Sequence, residues 1–515
     1  MHKIILACAF SASVLLAACG GGGGGDSSPA SNAAASNGAV SGAATGSSGS
    51  SSNSTNTGNS GGTGNAGGAT GNTSGNNSGT SSPNSGGGTA ANGSGSGSAS
   101  SGSGGSSSDS GSGTAGSGTS GSGTSGSGTS GSGSDAGGSG TSGNGGAADI
   151  GNTIPVRVSA ASAVRNFPLV SVTICRPGSG GAASCATIDN VLLDTGSFGL
   201  RLFASTIPAA TLAALPLQTD ATSGRNVAAC GAFGSGYTWG SLRSADVKMS
   251  AEVAPSVPIQ VIGDTAIGSA APASCIWNTA LSSAAVLGAN GILGVGVARY
   301  DCGAACARST PATGYYYADA AVATPISMPL ARQITNPVAL FPVDNNGVIV
   351  DMPTVSANGA PTASGTLTFG IGTQSNNTLA SAGATVMATD RWGNFTGSLG
   401  GASAIQSFVD SGSNALNFED YAIVQDGGFY VPSSPVNRTV AFTDARGTSA
   451  TADLAIGNAN ALFATYNFAF SNLGAFLAQT VDLGMPFFYG KRVYYGIDAS
   501  AAGGTAAPYV AWLTS

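Results

Sequence analysis

Asn190-Val191-Leu192-Leu193-Asp194-Thr195-Gly196-Ser197 carries an apolar run into a single carboxylate, which is then set in a tight glycine turn between two hydroxyls. The same order returns 216 residues later as Gln406-Ser407-Phe408-Val409-Asp410-Ser411-Gly412-Ser413. One Asp-Thr-Gly alone marks only a surface turn. Two copies, each behind an apolar strand pattern, predict two lobes that bring Asp194 and Asp410 to one cleft.

These residue types suit hydrolysis by an activated water. Two carboxylates about 3 Å apart do not both ionise easily, so they share one proton, and one acts as base while the other donates. The glycines, Gly196 and Gly412, let backbone approach each carboxylate closely. Ser197 and Ser413 are placed to hydrogen-bond the outer oxygens, with Thr195 and Ser411 as the remaining hydroxyls of the two turns.

Composition removes most other chemistries. The single histidine is His2, and after Lys3 the only lysines are Lys248 and Lys491. Ser-His-Asp and Cys-His catalysis, histidine-ligated zinc and histidine general bases are therefore excluded for the mature chain, and no metal or cofactor is implied. A net charge of −7 with no basic cluster argues against a nucleic-acid surface.

At the N-terminus Lys3 precedes the apolar run Ile4 to Leu16, the order of a secretory signal and too short for a comfortable membrane span. The run ends Leu16-Ala17-Ala18-Cys19-Gly20, which resembles the bacterial lipobox. That resemblance implies removal of residues 1–18, acylation of Cys19 and anchoring to the cell envelope. Gly20, where an acidic residue would retain the protein at the inner membrane, points to the outer one. The plainer alternative is an ordinary signal cut near Ala18. Residues 19–150 are rich in Gly, Ser, Thr, Asn and Ala, with no Lys, Arg or aromatic residue before Ile150, and the pentad Gly-Ser-Gly-Thr-Ser runs three times from Gly116 to Ser130. Nothing there offsets the entropy of ordering, so a disordered tether with a span on the order of 65 Å is expected. It has no apolar face to stack as a repeat.

Folded sequence is expected from residue 151. Asn166 to Cys175 alternates as a half-buried strand, a Gly- and Ser-rich loop follows at Pro177 to Ala183, and Ala186 to Leu193 returns into Asp194. With Asp194-Thr195-Gly196-Ser197 and Asp410-Ser411-Gly412-Ser413 in these settings, the chain resembles the pepsin-like aspartic proteases. The resemblance implies an all-β, two-lobed acid-protease fold, with lobes over 151–340 and 341–515, and a monomer acting on an extended peptide or protein substrate. It extends to Gly288 to Gly296, similar to the segment that crosses beneath the first Asp loop, and to Thr366 to Gly372, Leu483 to Phe488 and Val493 to Asp498, similar to the opening and close of the second lobe. A nucleotide loop at Gly294-Val295-Gly296 is a poor competitor, since it lacks a third Gly and a strand-to-helix setting.

The family's flap, a hairpin that closes over bound peptide, corresponds to Phe233-Gly234-Ser235-Gly236-Tyr237. Three positions depart from the family pattern. Phe233 stands where the flap Tyr is usual, Arg201 where the Trp that hydrogen-bonds that Tyr is usual, and Met485 where an Asp is usual. The tether also lacks the basic groups of a pepsinogen-like prosegment. Six cysteines, Cys175, Cys185, Cys230, Cys275, Cys302 and Cys306, read as disulfides in an exported chain. Proximity favours Cys175–Cys185 and Cys302–Cys306, which leaves Cys230–Cys275 by elimination among fifteen possible pairings.

Two functions remain open at this level. The intact pair of Asp loops favours an endopeptidase, and the altered flap pair favours a non-hydrolytic relative that binds protein or polysaccharide at the envelope.

Overall fold

The apolar run ahead of the first carboxylate forms the strand Ala186–Asp194, in which Ile188 and Val191 to Asp194 are buried while Thr187, Asp189 and Asn190 face solvent. It pairs antiparallel with Leu169–Cys175 on one side and parallel with Gly291–Val295 on the other. The chain leaves the Asp loop as Phe198–Phe203, antiparallel to the same Gly291–Val295. That strand thus fills the space between the two arms of the loop. Gly294 is required there, because a Cβ would lie 2.5 Å from the backbone nitrogen of Phe198.

The second half repeats the device. Ala402–Val409 enters Asp410, Leu416–Phe418 leaves, and Thr480–Leu483 lies between them, parallel to the first and antiparallel to the second. Register makes the two units comparable residue by residue. Leu192 stands opposite Ile292 in the first, and Phe408 stands opposite Asp482 in the second.

The computed structural model describes residues 151–309, 311–379, 383–499 and 508–514. The expected signal sequence, Cys19 and the tether at 19–150 lie outside the described residues. Within them the fold is all-β and two-lobed: a 16-stranded sheet and a 9-stranded sheet, with only short helices such as Ala209–Ala214 and Ala459–Ala464. The larger sheet does not stop near residue 340, where the resemblance leads one to expect a lobe boundary. From Thr153–Val158 it continues through Ala363–Phe369, Gly347–Met352, Lys491–Gly496 and Tyr509–Thr514 to Thr385–Ala388. Thr153 is in register with Thr368. One apolar core runs across the junction, with Val191 and Leu293 in the same cluster as Leu367, Val409, Leu483 and Val493.

Among the described residues covalent bracing is confined to the first half, by Cys175–Cys185, Cys230–Cys275 and Cys302–Cys306. The hairpin loop closed by the first of these is also held by Asp246, which accepts the N–H groups of Gly178 and Ser179 from the loop and that of Ser256 from the neighbouring strand.

Asn166 departs from its expected place in a strand. The strand begins at Leu169, and Asn166 adopts φ +54° in the preceding turn, a conformation that Asn tolerates better than most residues. Its fully buried side chain spans the two lobes. Nδ2 donates to the carbonyls of Asn414 at 3.0 Å and Phe470 at 2.9 Å, while Oδ1 accepts the N–H of Phe470 at 2.7 Å and the hydroxyl of Tyr489 at 3.0 Å. Asn166→Ala leaves all four partners buried without it. Each such orphan costs about 1–3 kcal/mol, so a loss of about 3 kcal/mol or more is expected in denaturant unfolding, and a loss under about 1 kcal/mol would contradict the clamp.

Candidate active site

The two Asp loops meet through reciprocal hydrogen bonds. The Thr195 N–H donates to Ser411 Oγ at 3.1 Å, the Ser411 N–H donates to Thr195 Oγ1 at 2.8 Å, and Ser411 Oγ donates to the Leu193 carbonyl at 2.7 Å. All three are buried, so neither loop can shift without breaking bonds that water does not replace.

This contact sets the carboxyls. The Gly196 N–H is shared between Asp194 Oδ1 at 2.9 Å and Asp410 Oδ1 at 3.0 Å, and the Gly412 N–H reaches Asp410 Oδ1 at 2.8 Å. On the outer side Ser197 Oγ donates to Asp194 Oδ2 at 2.6 Å and Ser413 Oγ to Asp410 Oδ2 at 2.9 Å. The shared N–H holds the two carboxyls side by side, where the charge of one bears on the other. Burial raises both above the ordinary carboxylate range. Asp194 is drawn back by Ser197 and its other hydrogen bonds, whereas Asp410 is pushed well up because the charges of Asp194 and Asp482 add to its burial.

Beneath the second loop Asp482 is a third buried carboxyl, which local sequence pattern does not single out. Asn417 Nδ2 donates to its Oδ2 at 3.0 Å, and its Oδ1 has no partner. Burial pushes it up to about 8, against the pull of Ser413 and Asn417. The signal for it lay in the internal repeat, where Gly291-Ile292-Leu293-Gly294 matches Val481-Asp482-Leu483-Gly484 with a carboxyl in place of Ile292. Tyr495 was likewise missed; from strand Lys491–Gly496 its hydroxyl donates to the Val409 carbonyl at 2.9 Å, just ahead of Asp410.

The cleft is closed over the carboxyls. The turn Asp390 to Asn394 in the second lobe lies across it, with the Trp392 ring 5.9 Å from that of Phe198 in the first. Asp390 accepts the N–H groups of Trp392 and Asn394 and the Asn394 side chain, so the turn holds its own shape. A cavity of about 10 Å³ lies beneath it among Gly196, Val297, Trp392 and Tyr495, about the room of one water.

The hairpin expected as the flap joins Val227–Phe233 to Gly236–Met249 through Gly234 and Ser235. It is tied down on several sides. Gly236 and Tyr237 pair with Thr279 and Ala280, Cys230 is bonded to Cys275, and Ser235 is buried. Phe233 packs into a cluster with Phe203, Ile262 and Leu281. The two unusual residues meet, since the Arg201 guanidinium lies 5.7 Å from the Phe233 ring. A cation–aromatic contact thus occupies the region where the resemblance leads to a Tyr–Trp hydrogen bond.

Fold and site together define a two-lobed, all-β protein with a buried pair of aspartates at the junction of its lobes. The chain belongs to the family described as Protein of unknown function (DUF3443), whose model matches residues 148–512. Comparison with curated proteins gives no match. Among solved structures, the crystal structure of the aspartic proteinase from Irpex lacteus is similar at a TM-score of 0.39 and 16% identity, covering 70% of this chain and 97% of that one.

Asp482 makes stability depend on pH. An Asp in the unfolded chain titrates near 3.9, so a folded-state value of about 8 means that the folded protein holds a proton the unfolded chain has released. Its contribution is complete below about pH 4 and is lost as pH rises toward 8. Asp194 and Asp410 act with the same sign. Melting temperature is expected to fall between these limits in the wild type and to fall several degrees less in Asp482→Asn, as read by calorimetry; parallel curves for the two proteins would rule this out.

Proposed function

We propose that the protein is an endopeptidase of the aspartic type, which hydrolyses extended peptides with Asp194, Asp410 and one water, and that it works at the cell envelope on a lipid anchor at Cys19. The observation that carries the catalytic reading is the single Gly196 N–H shared by both inner carboxyl oxygens, with Ser197 and Ser413 holding the outer ones. That arrangement fixes two carboxyls at a spacing where they keep one proton between them.

In the proposed reaction the ionised carboxyl takes a proton from the water as its oxygen attacks the peptide carbonyl, and the protonated carboxyl donates to the carbonyl oxygen. Collapse of the tetrahedral intermediate breaks the C–N bond, and the amine leaves with a proton from the same pair. The serines keep the inner oxygens aimed at the water, and the buried setting strengthens each interaction. Peptide entry needs the Trp392 turn to move away from Phe198, since the hairpin at Phe233 to Tyr237 is anchored. The envelope assignment is supported by Leu16-Ala17-Ala18-Cys19.

Asp194→Asn, Asp410→Asn and the double variant are each expected to lower kcat by about 10³-fold or more to one common residual rate, because either change disables the same unit. Fold survives, since Asn keeps the shape and removes a repulsion. With both carboxyls raised, wild-type cleavage should persist above the ordinary carboxylate range near pH 4 and fall once the pair has lost its shared proton. Absence of cleavage from acid to neutral pH, together with equal binding of a hydroxyl-bearing intermediate mimic by wild type and variants, would refute the catalytic reading. Cys19→Ser is expected to move the protein from washed membranes to the soluble fraction, and retention on the membranes would refute the anchor.

A further inference from the structure

A cavity of about 580 Å³ opens beside the first Asp loop, against Ser197, whose hydroxyl holds the outer oxygen of Asp194. Phe198, Phe233 and Trp392 give it aromatic walls. Its charged groups are the guanidiniums of Arg201 and Arg391 and the carboxyl of Asp301. Arg201 is almost fully buried in the lining, yet its guanidinium is thinly bonded: Nη1 donates to Gln260 Oε1 at 3.1 Å, Nη2 reaches Asp301 Oδ2 only at 3.4 Å, and Nε has no partner. A guanidinium carries five N–H donors in a planar fork that matches a carboxylate, and burying it short of partners is unfavourable.

Asp301 is a weak counter-charge. One of its oxygens accepts the Tyr316 hydroxyl at 2.5 Å, and burial pushes its carboxyl up to about 6 despite Arg201. A second cation stands in the lining, where exposed Arg391 lies with its guanidinium 4.3 Å from the Trp392 ring. Two guanidiniums and one carboxyl thus line the cavity, in a protein whose net charge is −7.

We propose that this cavity is a subsite for an acidic side chain, Glu or Asp, of an extended peptide bound next to the scissile bond. Arg201 and Arg391 take the carboxylate, and the aromatic walls take its methylene stem. Position relative to a cleaved bond rests on the peptidase reading; recognition of the carboxylate does not.

The test uses the full-length protein and peptides blocked at both ends, which differ only by Glu, Gln, Leu or Arg at one position, near pH 5, where a Glu side chain is mostly ionised. Glu peptides are expected to be cleaved with kcat/KM about tenfold above Gln peptides, the size of one charge-assisted hydrogen bond. The ratio should fall toward one in Arg201→Met and in Arg391→Gln. Because Arg201 is buried and its variant is open to misfolding, exposed Arg391 provides the decisive comparison. Cleavage without a Glu preference, or a preference unchanged by Arg391→Gln, overturns the subsite and leaves the peptidase reading standing. If nothing is cleaved, the same peptides are titrated into Asp194→Asn with tryptophan fluorescence as the readout. About tenfold tighter binding of Glu than Gln, reduced by Arg391→Gln, then supports the subsite while the peptidase reading falls. Equal binding of all four, or none at millimolar peptide, overturns the subsite as well.

Discussion

The structure depends on a short set of buried bonds between Leu193 to Thr195 and Ser411. They are made by backbone N–H groups and two hydroxyls, so they need Thr or Ser after each Asp and a closely matched backbone path in both loops. Everything nearby serves that match. Gly291–Val295 and Thr480–Leu483 fill their respective loops from below, and Asn166 and Tyr495 fix backbone on either side of the second loop. Two carboxyls are thereby brought together at a place where neither can relax away, and that confinement favours the protonated form of the pair.

The two halves solve the same backbone problem with different side chains. In the first, the strand beneath the loop is wholly apolar at Ile292 and Leu293; in the second, Asp482 lies beneath and Tyr495 reaches in from the shared sheet. The pair is thus asymmetric despite the matching serine on each outer oxygen, and Asp410 is the member raised further toward its protonated form. The cleft is asymmetric too. Its first-lobe hairpin is anchored through Gly236 and Cys230, while its second-lobe turn at Trp392 is self-contained and touches the other lobe by ring contact.

Local pattern made part of this legible in sequence. The Asp loops, the strand leading into each and the pairings Cys175–Cys185 and Cys302–Cys306 follow from spacing and residue type, because they involve neighbours or a repeated short motif, and Cys230–Cys275 then follows by elimination. Asn166 was read as strand because alternation is insensitive to a single polar residue at a strand's entrance; its four partners lie some 250 to 320 positions away. Asp482 was hidden because one acid in Thr480-Val481-Asp482-Leu483 reads as the solvent side of an alternating strand. Only its register against Phe408 shows that it points inward. The shared sheet was invisible for the same reason, as Thr153 and Thr368 carry no mark of each other.

The placement of the disulfides has a consequence for the order of assembly. All six disulfide-bonded cysteines precede residue 307, so oxidation can lock the first lobe while the rest of the chain is still arriving. The sheet that joins the lobes has the opposite timing, since Tyr509–Thr514 sits within it between Lys491–Gly496 and Thr385–Ala388. Thr153–Val158 gains its partner Ala363–Phe369 only after some two hundred intervening residues have been delivered. Closure of that sheet over such sequence distances is slow compared with forming a hairpin. During folding the chain therefore passes through a stage in which its front can be covalently set while its joining sheet has open edges and its two aspartates have not yet met.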